Sequence, residues 1–121
     1  MAIDPSGADL QRFGEGDAGE AFVMVQLLRF AEGGRERYLQ YSAKAYPFLT
    51  RVGAQVLYGG ECNDPLLAPE GNWDAVVLVR YPSRGAYLEM VGDPEYQEIA
   101  PLRRSALREA ALLPINDWPG R

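Results

Sequence analysis

The hydrophobic positions along the first two thirds of the chain alternate between the periods of strands and of helices. Ala21 to Phe30 is a run of β-prone, mostly apolar residues, which predicts a first strand that is apolar on both faces. From about Arg35 to Val52, apolar residues recur at spacings of three and four, which predicts a helix that Pro47 kinks or interrupts. Period two returns in Ala54 to Glu61 and in Trp73 to Tyr81, the predicted second and third strands.

The last third of the chain carries two helix-start signals and one weaker strand. Ser83 is placed to cap a helix, and Asp93 with Pro94 is typical of the start of another. Ala110 to Ile115 predicts a last strand at a sheet edge, because it contains Pro114. The order β-α-β-β-α-β predicts an α+β, ferredoxin-like fold, an antiparallel four-stranded sheet with helices on one face.

The 121 residues suffice for one domain, which we place at residues 21–116. Residues 1–20 are rich in Gly, Asp and Glu and are predicted as a surface arm, in which Ser6 caps a short helical turn. Residues 14–17 then form a linker. Residues 117–121 are predicted as a C-terminal tail.

The central strands have more apolar surface than helices on one face of a sheet can cover. Leaving roughly five to eight such side chains in water would forfeit on the order of 10 kcal/mol. This compares with a total domain stability of about 5–15 kcal/mol. We therefore expect a homodimer, sheet against sheet, that forms a dimeric α/β barrel. The alternative is that the arm or the loop Asn63–Asn72 covers the open face.

Composition excludes several classes of function. Twelve basic and seventeen acidic residues give a net charge of −5, which disfavours nucleic acid and membrane surfaces as partners. The sequence has no histidine and one cysteine, Cys62, so we expect no metal, no cofactor and no histidine-dependent catalysis. The first ten residues lack a signal-peptide pattern, and no apolar run is long enough to span a bilayer. A cytoplasmic location is expected.

Several motifs, spread over nearly the whole chain, resemble the family called domain of unknown function 1330. They are Trp73-Asp74, Val77-Leu78-Val79-Arg80-Tyr81-Pro82-Ser83-Arg84, Asp93-Pro94-Glu95-Tyr96-Gln97, Val52-Gly53-Ala54 with Tyr58-Gly59-Gly60, and Gln26-Leu27-Leu28-Arg29-Phe30 with Ile3-Asp4-Pro5-Ser6. The resemblance implies the dimeric α/β-barrel superfamily, which includes cofactor-free monooxygenases, haem-degrading enzymes and isomerases. The similar branch usually has Asn at the position of Gln26, and often a His just before Arg103, where this chain has Pro101-Leu102.

Five residues are candidates for lining a ligand pocket. Gln26 and Arg29 interrupt the apolar first strand, and could orient a ligand carbonyl or carboxylate or make structural hydrogen bonds. Arg103 lies on the apolar stripe of the last helix, where it could bind an anion or pair with Asp74 or Glu89. Aromatic side chains with polar tips suit either a pocket for a flat molecule or an ordinary core: Tyr38, Tyr41, Tyr58, Trp73 and Tyr81. Of these, Tyr58 and Trp73 are our candidates.

The favoured hypothesis is a small dimeric protein that binds a small organic ligand in a pocket between sheet and helices. Any activity would be cofactor-free, such as oxygenation or isomerisation, by analogy with the superfamily alone. The alternative is a non-catalytic structural or binding module without a pocket. The first hypothesis predicts a cavity of roughly 300 Å³ or more that includes Gln26 or Arg29. The alternative predicts that the polar atoms of both residues are paired within the protein and that no such cavity exists.

Overall fold

A computed structural model describes residues 3–119 and contains four strands and four helices in this range. The outermost residues of the predicted arm and tail, 1–2 and 120–121, lie outside the described part. In chain order the elements are α1 (Gly7–Glu15), β1 (Phe22–Phe30), α2 (Gly34–Arg51), β2 (Gln55–Glu61), β3 (Ala75–Tyr81), α3 (Arg84–Gly92), α4 (Pro94–Ala106) and β4 (Leu107–Ile115). Within residues 3–119, no helix is both long enough and apolar enough to cross a lipid bilayer.

The four strands form one antiparallel sheet in the order β2-β3-β1-β4. This is the strand order of a ferredoxin-like sheet, so the predicted fold class is confirmed. β4 lies at an edge, as Pro114 indicated, because an edge strand leaves one side without a partner. It begins at Leu107, directly after α4 and three residues before the predicted start.

Helix starts follow the predicted capping residues. The Ser6 hydroxyl accepts from the Asp9 amide at 3.0 Å, and the Asp9 carboxylate accepts from the Ser6 amide at 2.9 Å, a reciprocal capping box. Ser83 caps α3, and Asp93 caps α4 with Pro94 in its first turn. α1 continues to Glu15, into the predicted linker, and α2 runs through Pro47 without a break, so the predicted interruption is wrong.

All four helices use one face of the sheet. On β1, Phe22, Met24 and Leu28 point into the core, where α2, α3 and α4 contribute buried tyrosines. The arm packs on this same side, since the Phe13 ring lies 5.5 Å from that of Phe22 and 5.7 Å from that of Tyr87. The arm therefore does not cover the opposite face.

The opposite face of the sheet is apolar and partly exposed, and we call it the open face. Its residues are Val23, Val25, Leu27, Tyr58, Val76, Leu78, Ala111, Leu113 and Ile115. The loop 63–72 reaches one end of it, where the Asn72 carbonyl accepts a 3.0 Å hydrogen bond from Arg29. Leu66 and Leu67 of this loop are themselves exposed, so the loop adds apolar surface.

One register shift corrects the predicted pattern of β2. The period-two pattern predicted for Ala54 to Glu61 would place Val56 and Tyr58 on the same face, two residues apart. Instead Val56 pairs with Val79 and Tyr58 with Leu78, which leaves Leu57 as an extra residue in the strand. Val56 therefore faces the helices and Tyr58 the open face.

Candidate functional site

A cavity of about 490 Å³ lies between the sheet and the helices. The sheet supplies Gln26 and Tyr81, the helices supply Tyr41, Met90, Tyr96 and Arg103, and the arm supplies Asp4. The volume is within the usual range for ligand sites, about 300–1,000 Å³. A cavity of the predicted size that includes Gln26 is thus present.

Arg103 is the one charged residue of the described chain whose surface is almost fully buried, with 6% exposed. Its Nη1 donates to the Ile3 carbonyl at 3.0 Å and to the Asp4 carboxylate at 2.5 Å, and Arg104 donates to the same carboxylate at 3.2 Å. The alternative prediction, that Arg103 pairs with Asp74 or Glu89, is wrong, because its carboxylate partner is Asp4. Nη2 of Arg103 is buried without an acceptor among residues 3–119.

An unpaired buried donor is costly, about 1–3 kcal/mol and more for a charged group. Nη2 of Arg103 therefore has the capacity to donate a hydrogen bond to one further acceptor. Arg103 lines the cavity, so its guanidinium lies next to any ligand that binds there.

Gln26 lies at the centre of β1 on the side of the helices, between Met24 and Leu28. Within residues 3–119, its side-chain amide takes part in none of the hydrogen bonds found. The amide offers both a donor and an acceptor to the cavity. Gln26 and Arg103 are the two candidates that the fold brings together.

Two buried tyrosines link the helices across the same cavity. The hydroxyls of Tyr41 on α2 and Tyr96 on α4 lie 2.6 Å apart and share a hydrogen bond. Burial raises the pKa of both groups, and for Tyr41 the neighbouring Tyr96 raises it further. Burial also raises the pKa of Tyr38 and of Tyr87 to about 12. These phenols therefore stay neutral at pH 7 and act as hydrogen-bonding groups, not as bases.

Arg29 and Trp73 lie on the other side of the sheet. Arg29 forms an ion pair with Glu109 and donates to the Asn72 carbonyl, and its guanidinium stacks 4.0 Å from the centre of the Trp73 ring. Trp73 was predicted as the first residue of the third strand, but β3 begins at Ala75, and Trp73 lies with Leu27 and Tyr58 on the side away from the helices. The polar atoms of Arg29 are thus paired within the protein, which agrees with the alternative that this residue makes structural hydrogen bonds.

Tyr58 is 58% exposed on the open face. With Trp73 and Leu27 it lines a shallow space of about 700 Å³ beneath the loop 63–72. The five candidates thus fall into two groups, Gln26 with Arg103 in the cavity between sheet and helices, and the other three on the opposite side.

Tyr41, Tyr96 and Asp4 line the cavity but were not among the five candidates. Tyr41 and Tyr96 lie on the apolar stripes of their helices, and the sequence could have indicated them as polar tips in a core. Asp4 belongs to a motif of the family resemblance, but no pattern linked it to Arg103, because their contact joins positions 99 residues apart. No cluster of three or more His, Cys, Asp or Glu side chains that could hold a metal ion is found within residues 3–119.

One protein-family model matches most of the chain. The family model Domain of unknown function (DUF1330) matches residues 20–114. The chain belongs to the DUF1330 family. This confirms the resemblance seen in the sequence motifs. No curated protein matches this DUF1330 member.

Solved structures share its fold. A crystal structure of methylated RPA0582 is 29% identical, covers 99% of this chain and 98% of its own, and gives a TM-score of 0.86. RPA0582 is described as a protein of unknown function from Rhodopseudomonas palustris. Hydroxynitrile lyase from Passiflora edulis is 14% identical over 83% of this chain and 97% of its own, with a TM-score of 0.64.

A candidate antibiotic biosynthesis monooxygenase from Bacteriodes thetaiotaomicron VPI-5482 is 16% identical over 84% of this chain and 94% of its own. Its TM-score is 0.60. At this identity, the likeness to the monooxygenase and to the lyase extends to the fold alone.

Proposed function

We propose that this protein binds a small, flat organic anion in the cavity between sheet and helices. The observation that carries the proposal is Nη2 of Arg103, a buried donor without an acceptor among residues 3–119, on a residue that lines the cavity beside the half-buried Gln26. A buried polar group that the fold leaves unpaired costs stability, and ligand binding is the simplest compensation.

The charges around the cavity favour an anion. Its lining includes two guanidinium groups, those of Arg103 and Arg104, and one carboxylate, that of Asp4, for a local charge of +1. The whole chain carries −5, so this positive site stands out from the rest of the molecule. Tyrosine rings form much of the remaining wall, which suits a flat ring with a carboxylate, enolate or phenolate oxygen.

The same groups favour one kind of chemistry. The chain has no histidine, and burial raises the pKa of the cavity tyrosines, so no strong base is available at neutral pH. The guanidinium and the neutral phenols instead stabilise an oxyanion that the substrate forms by its own acidity. We propose, as an extension, cofactor-free oxygenation or isomerisation of such an electron-rich anion. The small-molecule enzymes that share the fold support this by analogy only.

A thermal-shift screen of aromatic acids and quinones tests ligand binding. We expect at least one compound to raise the melting temperature of the wild type, and we expect Gln26→Leu to abolish that shift. The control is Gln40→Leu, which makes the same change at an exposed position of α2 that does not line the cavity. If no compound moves the melting temperature, or if Gln26→Leu retains the full shift, the proposal is wrong.

We also propose that two copies of the chain associate through the open face. The supporting observation is that neither the arm nor any helix covers the central Val25, Leu27 and Leu78, and that the loop 63–72 reaches one end only. Covering these side chains removes apolar area from water, about 25 cal/mol for each Å². A two-fold axis then closes the pair.

Light scattering coupled to size exclusion measures this association. We expect 26.8 kDa at micromolar concentration, twice the 13.4 kDa of one chain. Val25→Asp should halve the mass or prevent folding, whereas Gln40→Glu adds the same charge on the helix side and should leave the dimer intact. A folded wild-type monomer under these conditions would rule out the dimer.

A further inference from the structure

A second cavity, of about 710 Å³, lies between α2 and the β2–β3 half of the sheet. Its charged lining groups are Arg35 and Glu61, and these neutralise each other in an ion pair of 2.8 Å. The rest of the lining is mainly aliphatic and aromatic. This space therefore suits an apolar group and offers no free charge to a polar one.

The two cavities are neighbours. Gln26, Tyr41, Tyr81 and Met90 line both of them, so the two cavities adjoin at these residues. A molecule bound at Arg103 and Gln26 would reach the second cavity by passing these residues. The charged groups that favour an anion lie at the first cavity only.

Three large apolar residues at the second cavity are exposed in the structure. Leu39, Tyr46 and Val56 are 47%, 62% and 47% exposed, and all three line this cavity. They come from α2 and from the edge strand β2, which border its opening. An apolar chain that entered here would cover surface that is otherwise in contact with water.

We infer that the ligand is amphipathic, with an anionic head at Arg103 and Gln26 and an apolar chain that extends past Gln26 into the second cavity. This inference rests on the proposed function and adds the class of ligand. It predicts that affinity depends on the length of the apolar chain as well as on the anion.

Isothermal titration with benzoate, 4-ethylbenzoate and 4-butylbenzoate tests the inference on the full chain. Each added methylene should tighten binding by about twofold to fourfold, as expected when apolar surface leaves water. The binding stoichiometry should be one probe for each chain.

Gly59→Leu identifies where the apolar chain lies. Gly59 lines the second cavity but not the first, and a Cβ at this position meets no atom within 4 Å, so the larger side chain projects into the space without a clash. We expect Gly59→Leu to weaken 4-butylbenzoate at least fivefold and to leave benzoate within twofold. Gly92→Leu is the matched control, because Gly92 also has free space and lines neither cavity. If Gly59→Leu fails to fold by circular dichroism, Ala43→Leu, at an exposed position of the same cavity lining, replaces it.

The outcomes separate the inference from the proposed function. If benzoate binds and chain length has no effect, the amphipathic ligand is excluded while the anion site stands. If chain length matters equally in the wild type and in the cavity variant, the apolar chain lies elsewhere and the inference is wrong. If no probe binds at millimolar concentration, the anion site itself is refuted and the inference falls with it.

Discussion

Replacement of Gln26 by leucine should make the protein more stable while it removes ligand binding. Gln26 is half-buried, and its amide has no hydrogen bond within residues 3–119, so the fold carries part of the cost of burying a polar group without a partner. That cost is about 1–3 kcal/mol for a fully buried group, and we take the lower end because part of the amide meets the cavity. Leucine has a similar volume and extends the apolar set of Met24 and Leu28.

We therefore expect Gln26→Leu to raise the free energy of unfolding by about 1 kcal/mol, or the melting temperature by about 3–5 °C for a chain of this size. Urea and thermal melts measure this, and Gln40→Leu at the exposed position should stay within about 0.5 kcal/mol of the wild type. A loss of 1 kcal/mol or more in Gln26→Leu would refute the reasoning. It would show that the amide is paired in the folded protein and serves the structure.

Three further predictions concern the core. Tyr41→Phe and Tyr96→Phe should each cost about 1 kcal/mol, and a double-mutant cycle in urea should give a coupling of similar size, because each hydroxyl is the partner of the other. Burial raises the pKa of Tyr38 from 10.0 to about 12, so the unfolded chain loses that proton first. This group should not affect the free energy of unfolding below pH 10, and should lower it between pH 10 and 12 by up to about 1.4 kcal/mol per pH unit. Melts at alkaline pH should show a smaller loss of stability per pH unit in Tyr38→Phe than in the wild type. Gly34→Ala should destabilise by about 2–3 kcal/mol in urea, because its Cβ would overlap the backbone carbonyl of Ala106.

Local signals in the sequence were sufficient to predict the order of the strands and helices and the fold class. Ser6, Ser83 and Asp93 cap helices because their side chains need only an amide two or three residues ahead. The apolar runs of the first and third strands indicated the two central strands, and Pro114 indicated an edge. The register of β2 could not be predicted, since a bulge at Leu57 depends on pairing with β3.

The site could be predicted only in part. Period two already separates Gln26 from Arg29, and the structure places them on opposite faces. The partner of Arg103 could not be found, because an ion pair with Asp4 is a tertiary contact without local pattern. The expectations of a cytoplasmic location and of no nucleic-acid partner rest on composition and stay predictions.

The most direct test of the account is a ¹⁵N NMR titration of the wild type with the strongest compound from the thermal-shift screen. The account predicts that the side-chain amide signals of Gln26, assigned by their absence in Gln26→Leu, and the Nε signal of Arg103 shift together with one dissociation constant. Signals of the exposed Gln40 should stay in place. The account is contradicted if a saturating ligand leaves Gln26 and Arg103 unmoved while residues of the open face shift.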